Sequence, residues 1–280
     1  MSIKSLLRRM SSFALGNESS DYGRKAIRGL VANAKRESGP SHHEGIFLVL
    51  DTAKALVKQD DYIPRIIPLS KGLDRIEDKS VLLVLKDPST PYREELTKKN
   101  SPTEDMFNQI YTLSKLKNLA KHPKKLLKLF KEFDMIMADI RLQKLLPEIL
   151  GASFFARKKK VPFVIQMAPP DKTAALTPGK KSPKLKDERC DAKYVSRQAK
   201  SIAKNTFFIP SSHGTCISIK VAYSDWTEEE ILNNCNDVLK FLLDPKYLPV
   251  GGLLRTKKHL QSAHLKTSES AALPIFKSIN

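Results

Sequence analysis

The chain has 280 residues, with 49 lysines and arginines against 30 aspartates and glutamates, a formal net charge of +19. That length suffices for one large domain or two small ones, each with its own core, and no apolar run reaches the ~18 residues of a membrane span. The basic residues are spread along the chain rather than gathered in a tail, and such an excess points to a polyanionic partner, nucleic acid foremost.

Residues 1–16 (MSIKSLLRRMSSFALG) contain arginine and serine but no acid. They read as a mitochondrial presequence or as a basic flexible tail, which we extend to residue 19. Over 24–36, Ile27, Leu30, Val31 and Ala34 fall on one helical face. A strand is expected over 46–50, a turn over 60–64, and a second strand over 65–69 with Pro68 marking an edge or an end. The run VLLVL at 81–85 predicts a buried strand. Phe107, Ile110, Tyr111 and 113–116 have helical spacing, so 106–119 predicts a helix. Pro123 opens the next helix at an N1-like position. In it Lys124, Lys125, Lys128 and Lys131 alternate with Leu126, Leu127, Leu129 and Phe130, as phosphate contacts or as a solvated face.

The stretch 133–166 organises the rest. Its two ends, 134–139 and 161–166, are short, dense in apolar residues and without period-2 alternation, as strands buried on both faces of a parallel sheet are. An apolar helical crossing through Leu150 and the basic cluster Arg157, Lys158, Lys159 and Lys160 lie between them. Residues 167–186 are rich in Pro, Lys and Thr and read as a mobile basic linker. A basic helix is expected over 192–204. Over 216–223, Ile217, Ile219 and Val221 share one face while Ser218, Lys220 and Ala222 share the other, which predicts a half-buried strand. Thr227-Glu-Glu-Glu230 is a capping-box signature, followed by the stripe Ile231, Cys235, Val238, Leu239 and Leu242. A basic run over 255–258 leads into a last strand over 260–265.

This order predicts an α/β protein with a discontinuous α+β domain at 20–71 and 190–280. A Rossmann-like domain at 72–170 is inserted into it, and 171–189 form a basic linker. Cys190, Cys216 and Cys235 are odd in number and lack CxxC spacing, so neither a disulfide framework nor a zinc site is expected. The chain has no GxxxxGK[ST] and no GxGxxG, so no nucleotide cofactor is expected. His42-His43-Glu44 has no second ligand cluster for a metal. Asp134 and Asp139 bracket a strand, where structural roles outweigh acid–base work. Ser211-Ser-His213 lacks a nucleophile elbow.

Several residues taken together resemble the ribosomal protein L-one family, the stalk-protein fold of the large subunit. They are Phe133-Asp134, Ala138, Leu146-Pro147, Leu150-Gly151, Lys160 with Pro162, and the stretch 205–209. The strand 217–221 followed by Thr227-Glu-Glu-Glu-Ile231, and Leu265-Lys-Thr, complete the set. The resemblance runs in order from about Lys25 to Phe276. Residues 63–69, Lys86-Asp-Pro88 and Tyr92-Arg-Glu94 are similar, more narrowly, to nucleolar members that act in the small-subunit processome, or 90S pre-ribosome.

The resemblance implies a split domain that grips RNA through one strand face and the C-terminal strand, with a three-layer αβα domain inserted. It implies a non-catalytic nucleolar factor whose partners are pre-ribosomal RNA and assembly proteins, with no membrane and no small-molecule substrate. The alternative is a structural stalk-type protein of the large subunit, mitochondrial if residues 1–16 are a presequence. Lys266 and Ser268 stand at the Lys and Thr positions of the family signature Lys-x-Thr-Met-Gly. Glu269 and Ser270 replace Met-Gly, and Ala222 replaces a glycine. The RNA-binding candidates are Lys220, Lys257, Lys258, Lys266, Thr267 and Ser268, with Arg157, Lys158, Lys159 and Lys160 as a second basic surface. Trp226 reads as a core hydrophobe at a helix entry or as a base-stacking ring.

Overall fold

The computed structural model describes residues 13–39, 43–59, 62–151, 154–155, 160–171, 177–179, 182–254 and 257–278. In chain order these contain α1 (Asn17–Ser38), β1 (Gly45–Thr52), β2 (Arg65–Ile67), β3 (Val81–Leu85), α2 (Thr90–Leu96), β4 (Gln109–Thr112), α3 (Leu113–Ala120) and α4 (Pro123–Glu132). Then come β5 (Met135–Asp139), α5 (Leu146–Leu150), β6 (Phe163–Ile165), β7 (Thr177–Gly179), β8 (Ser182–Lys186), α6 (Ala192–Lys204) and β9 (Thr206–Phe208). The last are β10 (Cys216–Tyr223), α7 (Glu228–Leu243), β11 (Leu260–Lys266) and β12 (Leu273–Lys277).

The chain divides into two compact units. One holds residues up to 61, 65–73 and from 205 on; the other holds 62–64 and 74–204. In the first, an antiparallel sheet has the order β10-β1-β11-β12. Alternation decides which face is buried. Ile46, Leu48 and Leu50 of β1, Ile217, Ile219 and Val221 of β10, and Ala263 and Leu265 of β11 all point into one core. There they meet Ile27 and Leu30 of α1 and Ile231, Cys235, Val238, Leu239 and Leu242 of α7. At the start of α7 the Glu230 carboxylate accepts from the Thr227 N–H at 3.1 Å. Arg24 and Arg28 of α1 pair with Glu228 at 3.1 and 2.7 Å, and Arg24 also pairs with Glu229. A short antiparallel ribbon, β2 with β9, completes the unit.

The inserted unit is built on a parallel sheet of order β4-β3-β5-β6. All five residues of β3 are fully buried, which requires cover on both faces of the sheet. Strand order reverses at β3, the place where open α/β sheets form a crevice at their carboxyl ends.

Six expectations are corrected. The segment 106–119 is not one helix: Ile110 and Tyr111 sit in parallel register with Leu83 and Val84, and the helix begins only after Thr112, whose hydroxyl accepts from the Lys115 N–H at 3.1 Å. The crossing after β5 is not one helix but a 3-10 turn, Ile140–Leu142, and then α5. The segment 171–189 is not a plain linker, because β7 and β8 pair antiparallel within it. The outer part resumes at 205 rather than 190, since α6 belongs to the inserted unit; there Gln198 takes the N–H and the carbonyl of Gln166 beside β6. The strand at 260–265 is not the last, because β12 pairs with it. The tail is also shorter than 1–19: Phe13 and Leu15 are buried in the core of the split unit, and the Ala14 N–H donates to Asn236 at 2.8 Å.

Candidate nucleic-acid interface

The face of the four-stranded sheet turned away from the core is ruled by register. Phe47 of β1 is paired with Lys220 on one side and Lys266 on the other. Val49 lies between Ser218 and His264, and Asp51 between Cys216 and Ser262. Neighbouring strands are about 4.8 Å apart, so Lys220 and Lys266 flank the Phe47 ring with roughly 10 Å between their backbones. This first row is a cation–aromatic–cation arrangement, able to take a phosphate on either side of a stacked base. The third row is different. The Asp51 carboxylate accepts from the Ser262 hydroxyl at 2.7 Å and lies 4.0 Å from His264 Nδ1. Burial and this same carboxylate raise the Cys216 thiol above its ordinary range. The face is therefore cationic at the end where β1 begins and β10 and β11 finish, and acidic at the other.

A group of aromatic rings supports the cationic end. Lys220 Nζ stands 3.9 Å from the centre of the Tyr223 ring, and His43 stacks on Tyr223 at 3.7 Å. Tyr223 meets Trp226 edge-on at 5.8 Å, and Lys71 lies over Trp226 at 4.3 Å while pairing with Glu230 at 2.7 Å. Trp226 packs against the core, the structural role of its two readings. Gly45 matters here: a Cβ on it would come within 3.1 Å of Lys220 Cε and 3.3 Å of the Phe47 ring. The bare backbone lets both side chains lie across β1.

The turn after β11 adds backbone donors. Thr267 and Ser270 hold it through reciprocal N–H to hydroxyl bonds of 2.9 and 3.3 Å. Its outward N–H groups, those of Ser268 and Glu269, both donate to Glu44 Oε1, at 2.8 and 3.4 Å. Paired N–H groups of this kind suit a phosphate oxygen. Here a carboxylate from the residue before β1 occupies them.

The sequence-derived candidates thus fall into separate places. Lys220, Lys266 and Ser268 gather at one end of the sheet. Thr267 is buried and serves the turn, so its assignment as an RNA contact is corrected. Lys258 is exposed in the 3-10 turn Lys257–His259 that precedes β11. Lys257 and Lys258 therefore stand at the far end of a strand whose length puts them about 20 Å from Lys266. Lys160 is half-buried and donates to the Phe133 carbonyl at 2.6 Å; burial lowers its pKa, and the bond anchors it at the entry to β5. Arg157, Lys158 and Lys159 lie outside the described residues. Phe47, His264 and Glu44 were not among the candidates.

At the carboxyl end of the parallel sheet, the buried Asp139 carboxylate is clasped by Arg141, whose Nε reaches both oxygens at 2.9 Å. Arg141 Nη1 donates to the Tyr92 hydroxyl at 2.9 Å and to the Asp187 carbonyl at 3.0 Å. Asp134, at the start of β5, accepts from the Ser80 N–H and hydroxyl at 2.8 Å each, and these bonds hold its carboxyl below the ordinary range. Both aspartates have structural partners. Among the described residues no helix is long and apolar enough to cross a membrane, and no group of three potential metal ligands occurs.

The model of the ribosomal protein L1p/L10e family matches residues 30–271. The chain belongs to this family. It is 37 % identical over 263 residues to the ribosome biogenesis protein UTP30 of Saccharomyces cerevisiae, covering 92 % of this chain and 90 % of that protein. A putative ribosome biogenesis protein of Schizosaccharomyces pombe is 26 % identical over 237 residues, 85 % of this chain and 55 % of that one. The ribosomal L1 domain-containing protein 1 of Mus musculus is 24 % identical over 172 residues, 61 % of this chain and 31 % of that protein. The split unit with its inserted Rossmann-like unit is the family's fold in this chain.

Proposed function

We propose that this family member is a non-catalytic ribosome biogenesis factor. It binds pre-ribosomal RNA and neighbouring assembly proteins in the nucleolar 90S pre-ribosome, the small-subunit processome, and supports maturation of small-subunit RNA. The observation that carries the RNA part is the row Lys220, Phe47 and Lys266 across the open sheet face. The named function of the fungal relatives supports the setting. The absence of catalysis is supported at the sheet's carboxyl end, where Asp139 is committed to Arg141 and Arg141 to Tyr92 and Asp187.

Binding by neutralised phosphates releases counterions, so affinity for RNA falls steeply with salt. Removing both lysines with Lys220→Gln and Lys266→Gln is expected to lower the slope of log affinity against log salt by about 1.4 to 1.8. Fluorescence anisotropy with a labelled RNA across a salt series reads this directly. Wild-type affinity that does not change with salt would remove the electrostatic basis of the proposal.

A further inference from the structure

A second cationic surface lies on the inserted unit, on the helix that carries Lys124, Lys125, Lys128 and Lys131 and on the one before it. Helices α3 and α4 are joined by only Lys121 and His122. Lys117, Lys121, Lys124, Lys125, Lys128 and Lys131 are all exposed. Glu132 is the sole acid between 113 and 132. Among the described residues none of these six lysines has a carboxylate within ion-pair distance. They differ in this from Arg24, Arg28, Lys71 and Arg189, whose charges are met inside the fold.

Helical geometry arranges the positive groups. At 100° per residue, Lys124, Lys128 and Lys131 fall within an arc of about 60°, one above another over roughly 10 Å of axis. The buried Leu129 lies on the opposite flank. Six like charges on two short helices repel one another, which is a standing cost that a polyanion removes.

We infer that α3 and α4 form a second RNA-binding surface, one that runs along a sugar–phosphate strand without reading bases. This rests on the proposed role in RNA binding and gives it a second point of attachment. The residue types favour RNA over an acidic protein segment. All six are lysines, compact hydrated charges that meet phosphates singly, and none is the arginine that would pair bidentately with carboxylates. Among the described side chains the face shows no apolar seam of the kind a helical protein partner would need, Leu127 being the one large hydrophobe exposed on it.

The test uses the full chain and a fluorescein-labelled RNA hairpin of arbitrary sequence. The triple variant Lys124→Gln, Lys128→Gln, Lys131→Gln is expected to weaken binding about tenfold and to reduce the salt slope by about 2 to 3. The matching arginine triple should restore both, which separates charge from fold. A glutamine triple with wild-type affinity and slope would overturn the inference. If Lys220→Gln with Lys266→Gln then still weakens binding, the sheet-face reading survives that failure. A glutamine triple that binds the hairpin normally but is lost from pre-ribosomes would assign the surface to an acidic protein and would equally overturn the inference.

Discussion

Glu44 is the residue on which the proposed interface turns. Its carboxylate holds the N–H groups of Ser268 and Glu269, the two donors best placed to meet a phosphate oxygen beside Lys266. Any phosphate arriving there must displace a negative charge. Glu44→Gln removes the repulsion and weakens the competing bonds. It is expected to tighten RNA binding about fivefold, the equivalent of one net hydrogen bond near 1 kcal/mol. Anisotropy titration against wild type checks this; unchanged or weaker binding would show that the turn's donors are not used. Glu44 was invisible as a site residue because its partners lie more than two hundred positions away. Thr267 misled for the opposite reason: a hydroxyl in a basic, polar stretch reads as an exposed contact, yet a local turn consumes it. Phe47 was hidden differently. In the run Ile46–Phe47–Leu48–Val49–Leu50 every residue is apolar, so the alternation that separates core from open face leaves no trace in composition.

At the scale of elements, the entry to α7 is a charged junction. Lys71 and the Thr227 hydroxyl and N–H pull the Glu230 carboxyl down from 4.5 to about 2, and Arg28 and Arg24 lower Glu228. A carboxyl depressed by folding stabilises the fold above its unfolded pKa and loses that contribution as it is protonated. The stability supplied by Glu230 is therefore full above pH 4.5 and falls away between there and about 2. Thermal unfolding of wild type and Glu230→Gln as a function of pH is expected to show a gap at neutral pH that closes across this window. A gap of constant size from pH 7 to pH 2 would contradict the assignment. The sequence Thr227-Glu-Glu-Glu230 made this start legible, because capping chemistry is local. Strand β4 was not legible in the same way. Ile110 and Tyr111 have helical spacing with 113–116, and only the parallel register with β3 makes them a strand. The hairpin β7–β8 was missed because its residues carry few apolar anchors.

For the whole molecule, the order of strong local signals sufficed to place a parallel sheet inside a split α+β frame. The buried runs at 81–85 and 134–139 and the alternation at 216–223 can adopt few other arrangements. The distribution of charge was less legible, because a sequence counts lysines without showing which are matched. Some of the basic residues are met by carboxylates inside the fold, as at Arg24, Lys71 and Arg141. Among the described residues, the six lysines on and between α3 and α4 have no carboxylate within ion-pair distance. The central claim is that this protein works by holding precursor RNA of the small subunit. The most direct measurement is ultraviolet RNA crosslinking of the full-length protein in cells, with the bound RNA sequenced. The account predicts crosslinks concentrated in the precursor of the small-subunit RNA and reduced by Lys220→Gln with Lys266→Gln. Crosslinks confined to mature large-subunit RNA, or none above background, would contradict it.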